Sequence, residues 1–145
     1  MLHCCRTLAL VTVSFIFLLT ACGGDKEAKK VSPESLLAQE AFKLAETLKS
    51  AYVEKDRTSL AAHSTESGYR ELISSMKSFD DAKLSFTPTW VEIQDSAVYL
   101  TVSWKGTWSM KGKTVEERGL AGCVVEGEPL KLAQVQRANP FSQPE

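Results

Sequence analysis

The feature that most limits the fold is a run of strict alternation in the second half of the chain. Val98, Leu100, Val102 and Trp104 alternate with Tyr99, Thr101, Ser103 and Lys105, the period-two pattern of an antiparallel strand with one buried face. Turn signals at Asp95-Ser96, Lys111-Gly112 and Glu126-Gly127-Glu128-Pro129 fix what this strand meets. A tight turn at Lys111-Gly112 sets Val102 against Ala121, Leu100 against Cys123 and Val98 against Val125. A turn at Asp95-Ser96 sets Ile93 against Val98 and Val91 against Leu100. The last turn is expected to set Val125 against Leu130 and Cys123 against Leu132. All the hairpins then put the same apolar set on one face, and a slip of one residue breaks that agreement. The expectation is a four-stranded antiparallel meander. Leu84 and Phe86 are out of phase with Val91 and Ile93, and Pro88 between them cannot donate to a ladder. A bulge or bend is expected there.

Ahead of the strands the apolar period is 3.6. Ser32-Pro33-Glu34 starts a helix: Ser caps, Pro occupies the first turn, and Glu suits the positive end of the dipole. Leu37, Ala41, Leu44, Ala45, Leu48 and Tyr52 then give one apolar stripe on a helix over about 33–54. Asp56 caps a short second helix, about 57–63. A third is expected over about 67–79, with Tyr69, Leu72, Ile73, Met76 and Phe79 turned inward. Helices followed by strands make an α+β class.

Residues 1–21 have the three-part shape of a secretory signal: a basic start at Arg6, an apolar middle from Leu8 to Leu19, and small residues at its end. The apolar run of about a dozen residues is short for a membrane span, which needs roughly 20. Leu19-Thr20-Ala21-Cys22 resembles the lipobox of bacterial lipoproteins. The resemblance implies cleavage between Ala21 and Cys22 and acylation of the Cys22 thiol, with palmitate-type chains holding the protein on the membrane. Each buried methylene adds about 0.8 kcal/mol, so two or three chains anchor it essentially permanently. Gly23 after the cysteine resembles the class sorted to the outer membrane, periplasmic-facing, in cells with two membranes. Residues 22–32 read as the acylated cysteine and a flexible tether, with a reach of about 17–19 Å. Residues 33–145 read as a single domain.

Removing residues 1–21 leaves 124, with 16 basic against 18 acidic residues and a net charge of −2. That argues against a nucleic-acid partner, which calls for a basic face. Cys4 and Cys5 leave with the signal and Cys22 carries lipid. Cys123 alone remains, so no disulfide within the mature domain and no metal site are expected, and no cofactor. Cys123 lies in an apolar strand and reads as a buried, inert thiol.

Three helices followed by this meander resemble the cone-shaped, cystatin-like fold of the nuclear transport factor two superfamily over about residues 33–141. The stretches that carry the likeness are Ala51-Tyr52-Val53-Glu54-Lys55-Asp56, Gly106-Thr107-Trp108, and Leu132 to Asn139-Pro140-Phe141. It implies three N-terminal helices packed on the concave face of a curled four-stranded sheet, cone-like. Isomerases and dehydratases of that superfamily use an acidic base and an acidic or phenolic donor inside the cone. Here the expected strands, from Ala82 on, carry no Asp, since Asp95 falls in a turn. Tyr52 and Tyr69 read as packing residues.

No catalytic set emerges from the sequence. His63 beside Ser64 has no acid placed to orient it, Asp80-Asp81 read as solvated turn residues, and Glu116 and Glu117 fall on opposite faces of one strand. The register sets Trp104 opposite Gly119, Gly106 opposite Glu117 and Ala121 opposite Gln134, with Gln136 next in the row. Trp104, Glu117, Gln134 and Gln136 therefore make a candidate pocket, half apolar with a few polar groups, as small-ligand sites are. The plainer alternative is that Trp104 fills the space left by Gly119 and the polar groups sit at a wet rim. The opposite face carries Tyr99, Leu120, Val124 and Val135, a candidate interface for a homodimer. The expected function is a membrane-anchored, non-enzymatic binding or assembly module of the cell envelope, partnered by a small apolar ligand or an envelope protein. A cone enzyme of the isomerase, dehydratase or hydrolase kind, and a scaffold recognised through its sheet face, are the alternatives.

Overall fold

The computed structural model describes residues 31–144. The expected signal segment, the lipobox with Cys22, and the tether as far as Lys30 lie outside the described residues. Helix α1 (Pro33–Val53) begins where the sequence places it: the Ser32 hydroxyl accepts the Ser35 N–H at 3.2 Å. Its buried stripe is Ala41, Leu44, Ala45, Leu48, Ala51 and Tyr52. Helix α2 (Arg57–Ala62) is capped by Asp56, whose carboxylate accepts the Ser59 N–H at 3.0 Å. Helix α3 (Glu66–Ser75) is capped by Thr65 and stops earlier than its apolar period suggests, because Met76 is already extended at ψ 131. Ser74 and Ser75 donate their hydroxyls to the Glu71 and Leu72 carbonyls, the local competition that weakens a last helical turn. Phe79 therefore reaches the core from a loop. None of the described helices is long and apolar enough to cross a membrane.

Strands β1 (Asp81–Gln94), β2 (Ala97–Met110), β3 (Lys113–Glu126) and β4 (Lys131–Arg137) form an antiparallel sheet in chain order, followed by a 3-10 turn at Pro140–Ser142. The two long hairpins have the expected register, with Ile93 opposite Val98, Leu100 opposite Cys123, Trp104 opposite Gly119 and Gly106 opposite Glu117. Lys111 and Gly112 both have positive φ, 48 and 77, as a two-residue turn matched to strand twist requires. The pairing slips between Pro88 and Trp90, which lets Leu84 and Phe86 join Val91 and Ile93 against the core. The expected bulge is present.

The third hairpin corrects the expected register. Leu130 belongs to the turn, and Val125 meets Leu132, not Leu130. A second slip at Ala133 then sets Cys123 opposite Val135 and Val124 opposite Gln134. Leu132 and Val135 are three apart and cannot share one face of a regular strand. One extra residue between them brings both inside, at 0% and 8% exposure. The same slip turns Gln134 and Gln136 to the outer face and takes Val135 off it.

The sheet itself corrects the cone expectation. It is not closed or strongly curled: β1 and β4 are its two edges and do not pair with each other. Closure needs a continuous ladder between first and last strands. Here β4 has seven residues and meets only the Ala121–Glu126 part of β3. The outer edge of β4 is met instead by the α2–α3 connection, where Leu132 donates to the His63 carbonyl and accepts from the Thr65 N–H, at 3.0 and 2.8 Å.

Helix α3 sits close on β4 because Gly68 has no side chain. A Cβ there would lie 2.2 Å from the Leu132 carbonyl oxygen, and backbone cannot give way as a side chain can. Gly68→Ala gains up to about 1 kcal/mol of helix propensity, but the clash and shift are expected to destabilise the fold by a net ~2 kcal/mol or more. Urea unfolding measures this. A midpoint equal to or above that of the parent would show that α3 does not rest on β4.

Candidate functional site

The helix-covered face of the sheet is filled with aromatic side chains. Trp108 lies over Gly106, where a Cβ would come within 2.1 Å of the indole, and Trp104 lies against Gly119, where the gap would be 2.9 Å. The two indoles meet edge to face at 6.2 Å. Tyr52 stands between Phe79 and Phe141, at centroid distances of 5.1 and 5.3 Å. Its hydroxyl accepts the Trp108 Nε1–H and donates to the Gln143 carbonyl, both at 2.9 Å. Trp104 Nε1–H donates to the Ala138 carbonyl at 2.8 Å. The segment after β4 thus folds back into the domain, with Phe141 and Gln143 buried. Burial pushes the Tyr52 phenol up to about 12, aided by the negative charge of Glu117 and opposed by the Trp108 hydrogen bond. Burial alone pushes the Cys123 thiol up to about 12.

The residues expected to line a pocket are not brought together. Trp104 is buried in the filled interior. Glu117 is half-buried on the same face, beyond it. Gln134 and Gln136 are exposed on the other face, where Gln136 Nε2 donates to Gln134 Oε1 at 3.1 Å. Of the residues expected at an interface, Tyr99, Leu120 and Val124 do share the outer face, while Val135 is in the core. His63 ends α2, with its Nδ1 2.8 Å from the Ser59 carbonyl of its own helix. Among the described residues no group of His, Cys, Asp and Glu is arranged to hold a metal ion.

Two of the recesses among the described residues have a mixed apolar and polar lining. One, of about 500 Å³, lies where the inner face runs out at the β2–β3 turn, lined by Phe79, Met110 and Val115 with Ser78, Asp80, Lys111 and Lys113. Its wall is fixed by Asp80, whose carboxylate accepts the Lys111 N–H at 2.7 Å and whose carbonyl accepts from the Lys55 ammonium at 2.9 Å. The Lys55 Nζ also stands 4.9 Å from the centre of the Phe79 ring, a cation–π contact. The other, of about 380 Å³, lies on the outer face around Trp90, Tyr99, Thr101, Gly122 and Gln136. Neither Trp90 nor the burial of Gln143 figures among the sequence expectations, although Trp90 alternates with Val91 and Ile93 and so must face away from the core.

No protein-family model matches the chain, and no curated protein matches it in sequence. In fold it is similar to a nuclear transport factor 2 (NTF2-like) superfamily protein from Salmonella enterica subsp. enterica serovar Typhimurium str. LT2. The TM-score is 0.65 and the identity 15%, covering 74% of this chain and 93% of that one. The likeness extends to the fold.

Tyr52→Phe leaves a buried indole N–H and a buried carbonyl without their partner, and the expected loss is about 2–4 kcal/mol. The pH dependence follows from the two buried acids. Their folded-state values lie above their ordinary 10.0 and 9.0, so the stability tied to the neutral forms is full below pH 9 and is lost as the pH rises towards 12. Melting curves from pH 8 to 11.5 should fall from pH 9 upward, and less steeply in Cys123→Ala. A flat profile would contradict the burial of both groups.

Proposed function

We propose that this chain is a membrane-anchored lipoprotein of the cell envelope whose folded domain is a non-enzymatic binding module. The anchor is the lipid on Cys22, and in a cell with two membranes the domain faces the periplasm from the outer membrane. The ligand is a small, mainly apolar molecule with an anionic end, taken into the recess at the β2–β3 turn. The observation that carries this reading is the composition of that recess: Phe79, Met110 and Val115 for an apolar body, and the exposed Lys111 and Lys113 at its rim. Recesses of this kind, largely apolar with a few convergent polar groups, are how small molecules are held. The shifts of Tyr52 and Cys123 towards their neutral forms suit packing and not proton transfer near neutral pH.

The anchor is tested by Cys22→Ser in cells fed labelled palmitate: the label should vanish and the protein should be recovered unprocessed or soluble. Label persisting in that variant would defeat the lipoprotein reading. The recess is tested with a diazirine-bearing octanoate irradiated with full-length protein in nanodiscs. Adducts should map to Phe79, Met110 and Val115 and fall at least ~fivefold, a loss of about 1 kcal/mol, in Val115→Trp. Labelling spread evenly over the domain, or unchanged by that substitution, would reject the recess as the site.

A further inference from the structure

The outer face of the sheet carries an indole that the backbone takes trouble to put there. Continuing the pairing of Pro88 with Val102 without a slip would set Trp90 against Leu100, on the core face. The bulge at Thr89, whose hydroxyl donates to the Thr101 carbonyl at 3.1 Å, puts Val91 in that place and sets Trp90 opposite Thr101. Trp90 is 65% exposed, although the indole is among the side chains that lose most by standing in water. Bulges of this sort re-aim side chains beside functional sites.

Across the sheet from Trp90 the row continues through Thr101 and Gly122 to Gln136. Gly122 is not demanded by packing: a Cβ there would meet Gln136 Cβ at an ordinary 3.6 Å. Its lack of a side chain leaves an open floor beside the indole. The neighbouring row adds Glu92, Tyr99 and Gln134. Arg137 stands at the rim, in the left-handed region at φ 65, where a non-glycine residue is uncommon.

We propose that this recess binds a saccharide, with one sugar ring stacked on Trp90 and its hydroxyls held by Thr101, the Gln136 amide, Glu92 with the Gln94 amide that donates to it, and Arg137. The flat C–H face of a pyranose matches an aromatic face, while its hydroxyls, each both donor and acceptor, match a rim of amides, carboxylate and guanidinium. A cavity of about 380 Å³ is of small-ligand size. A protein partner needs roughly 1,200–2,000 Å² of buried surface with few charges at its centre, and this recess is ringed by polar groups. One acid and one base give it no net charge, which suits a neutral ligand. The site is on the opposite face of the sheet from the apolar recess and does not depend on it.

The test is isothermal titration calorimetry of the full chain, in a detergent without sugar groups, titrated with chitotetraose and with maltotetraose. At least one should give a saturable heat with Kd on the order of 1 mM. Trp90→Ala should weaken binding at least ~tenfold, about 1.4 kcal/mol, with an unchanged circular-dichroism spectrum, since the side chain is exposed. Trp90→Phe should retain part of the affinity, and Gln136→Ala should lose several-fold. No saturable heat with either sugar up to about 20 mM, or one that survives Trp90→Ala, would overturn the proposal. So would Trp90-dependent self-association in sedimentation equilibrium, which would make a second copy of the chain the occupant of this face.

Discussion

The Tyr52 hydroxyl joins the end of the first helix, the far end of the buried row of β2 and the segment after β4, through Trp108 and the Gln143 carbonyl. Each of these polar groups is out of water, so each needs a partner within the protein. The arrangement also decides what the inner face can do. With Tyr52, Trp108 and Phe141 packed where a cone would be hollow, the accessible part of that face is pushed outward to the β2–β3 turn. Small residues make this possible: Gly106 and Gly119 are the floors on which the indoles lie.

Much of the sheet was legible because its turns are short and its phase is unbroken. Between Ile93 and Val125 every apolar residue on the inner face is spaced by an even number along its strand, so one register satisfies all of them. The register departs from expectation where that spacing is odd. Leu132 and Val135 both belong inside, and only an extra residue at Ala133 allows it. Near Pro88 the spacing is also odd, Phe86 and Val91 being five apart, and a bulge is both expected and present there. The same spacing rule in the last strand keeps Gln134 and Gln136 out of the interior. The end of α3 was missed for another reason: the apolar period continues to Phe79, but the chain leaves the helix at Met76 and reaches the same core by a loop.

The candidate sites were less legible than the fold, since they depend on where the irregularities fall. Trp104 and Glu117 are on the face expected of them, yet Trp104 is part of the packing. The tail from Ala138 to Gln143 carries no periodicity, and its burial follows from hydrogen bonds to one indole and one phenol that no local pattern announces. Trp90 is the converse case. Its exposure is dictated locally, by a bulge one residue before it, and gains meaning only when Gly122 and the amides of the last strand come alongside. Bulges in both edge strands thus shape the outer recess and keep the inner face apolar.

The claim that the interior is filled and latched by Tyr52 is tested most directly at the Trp108 indole N–H. In an isotope-labelled sample its exchange with deuterated solvent can be followed alongside the backbone amides of β2 and β3. A buried N–H bonded to a buried phenol should exchange only when the whole domain opens, as slowly as the best-protected strand amides and with the same dependence on denaturant. Exchange orders of magnitude faster than those amides would mean that water reaches the space between α1 and the sheet, and that the inner face is open after all.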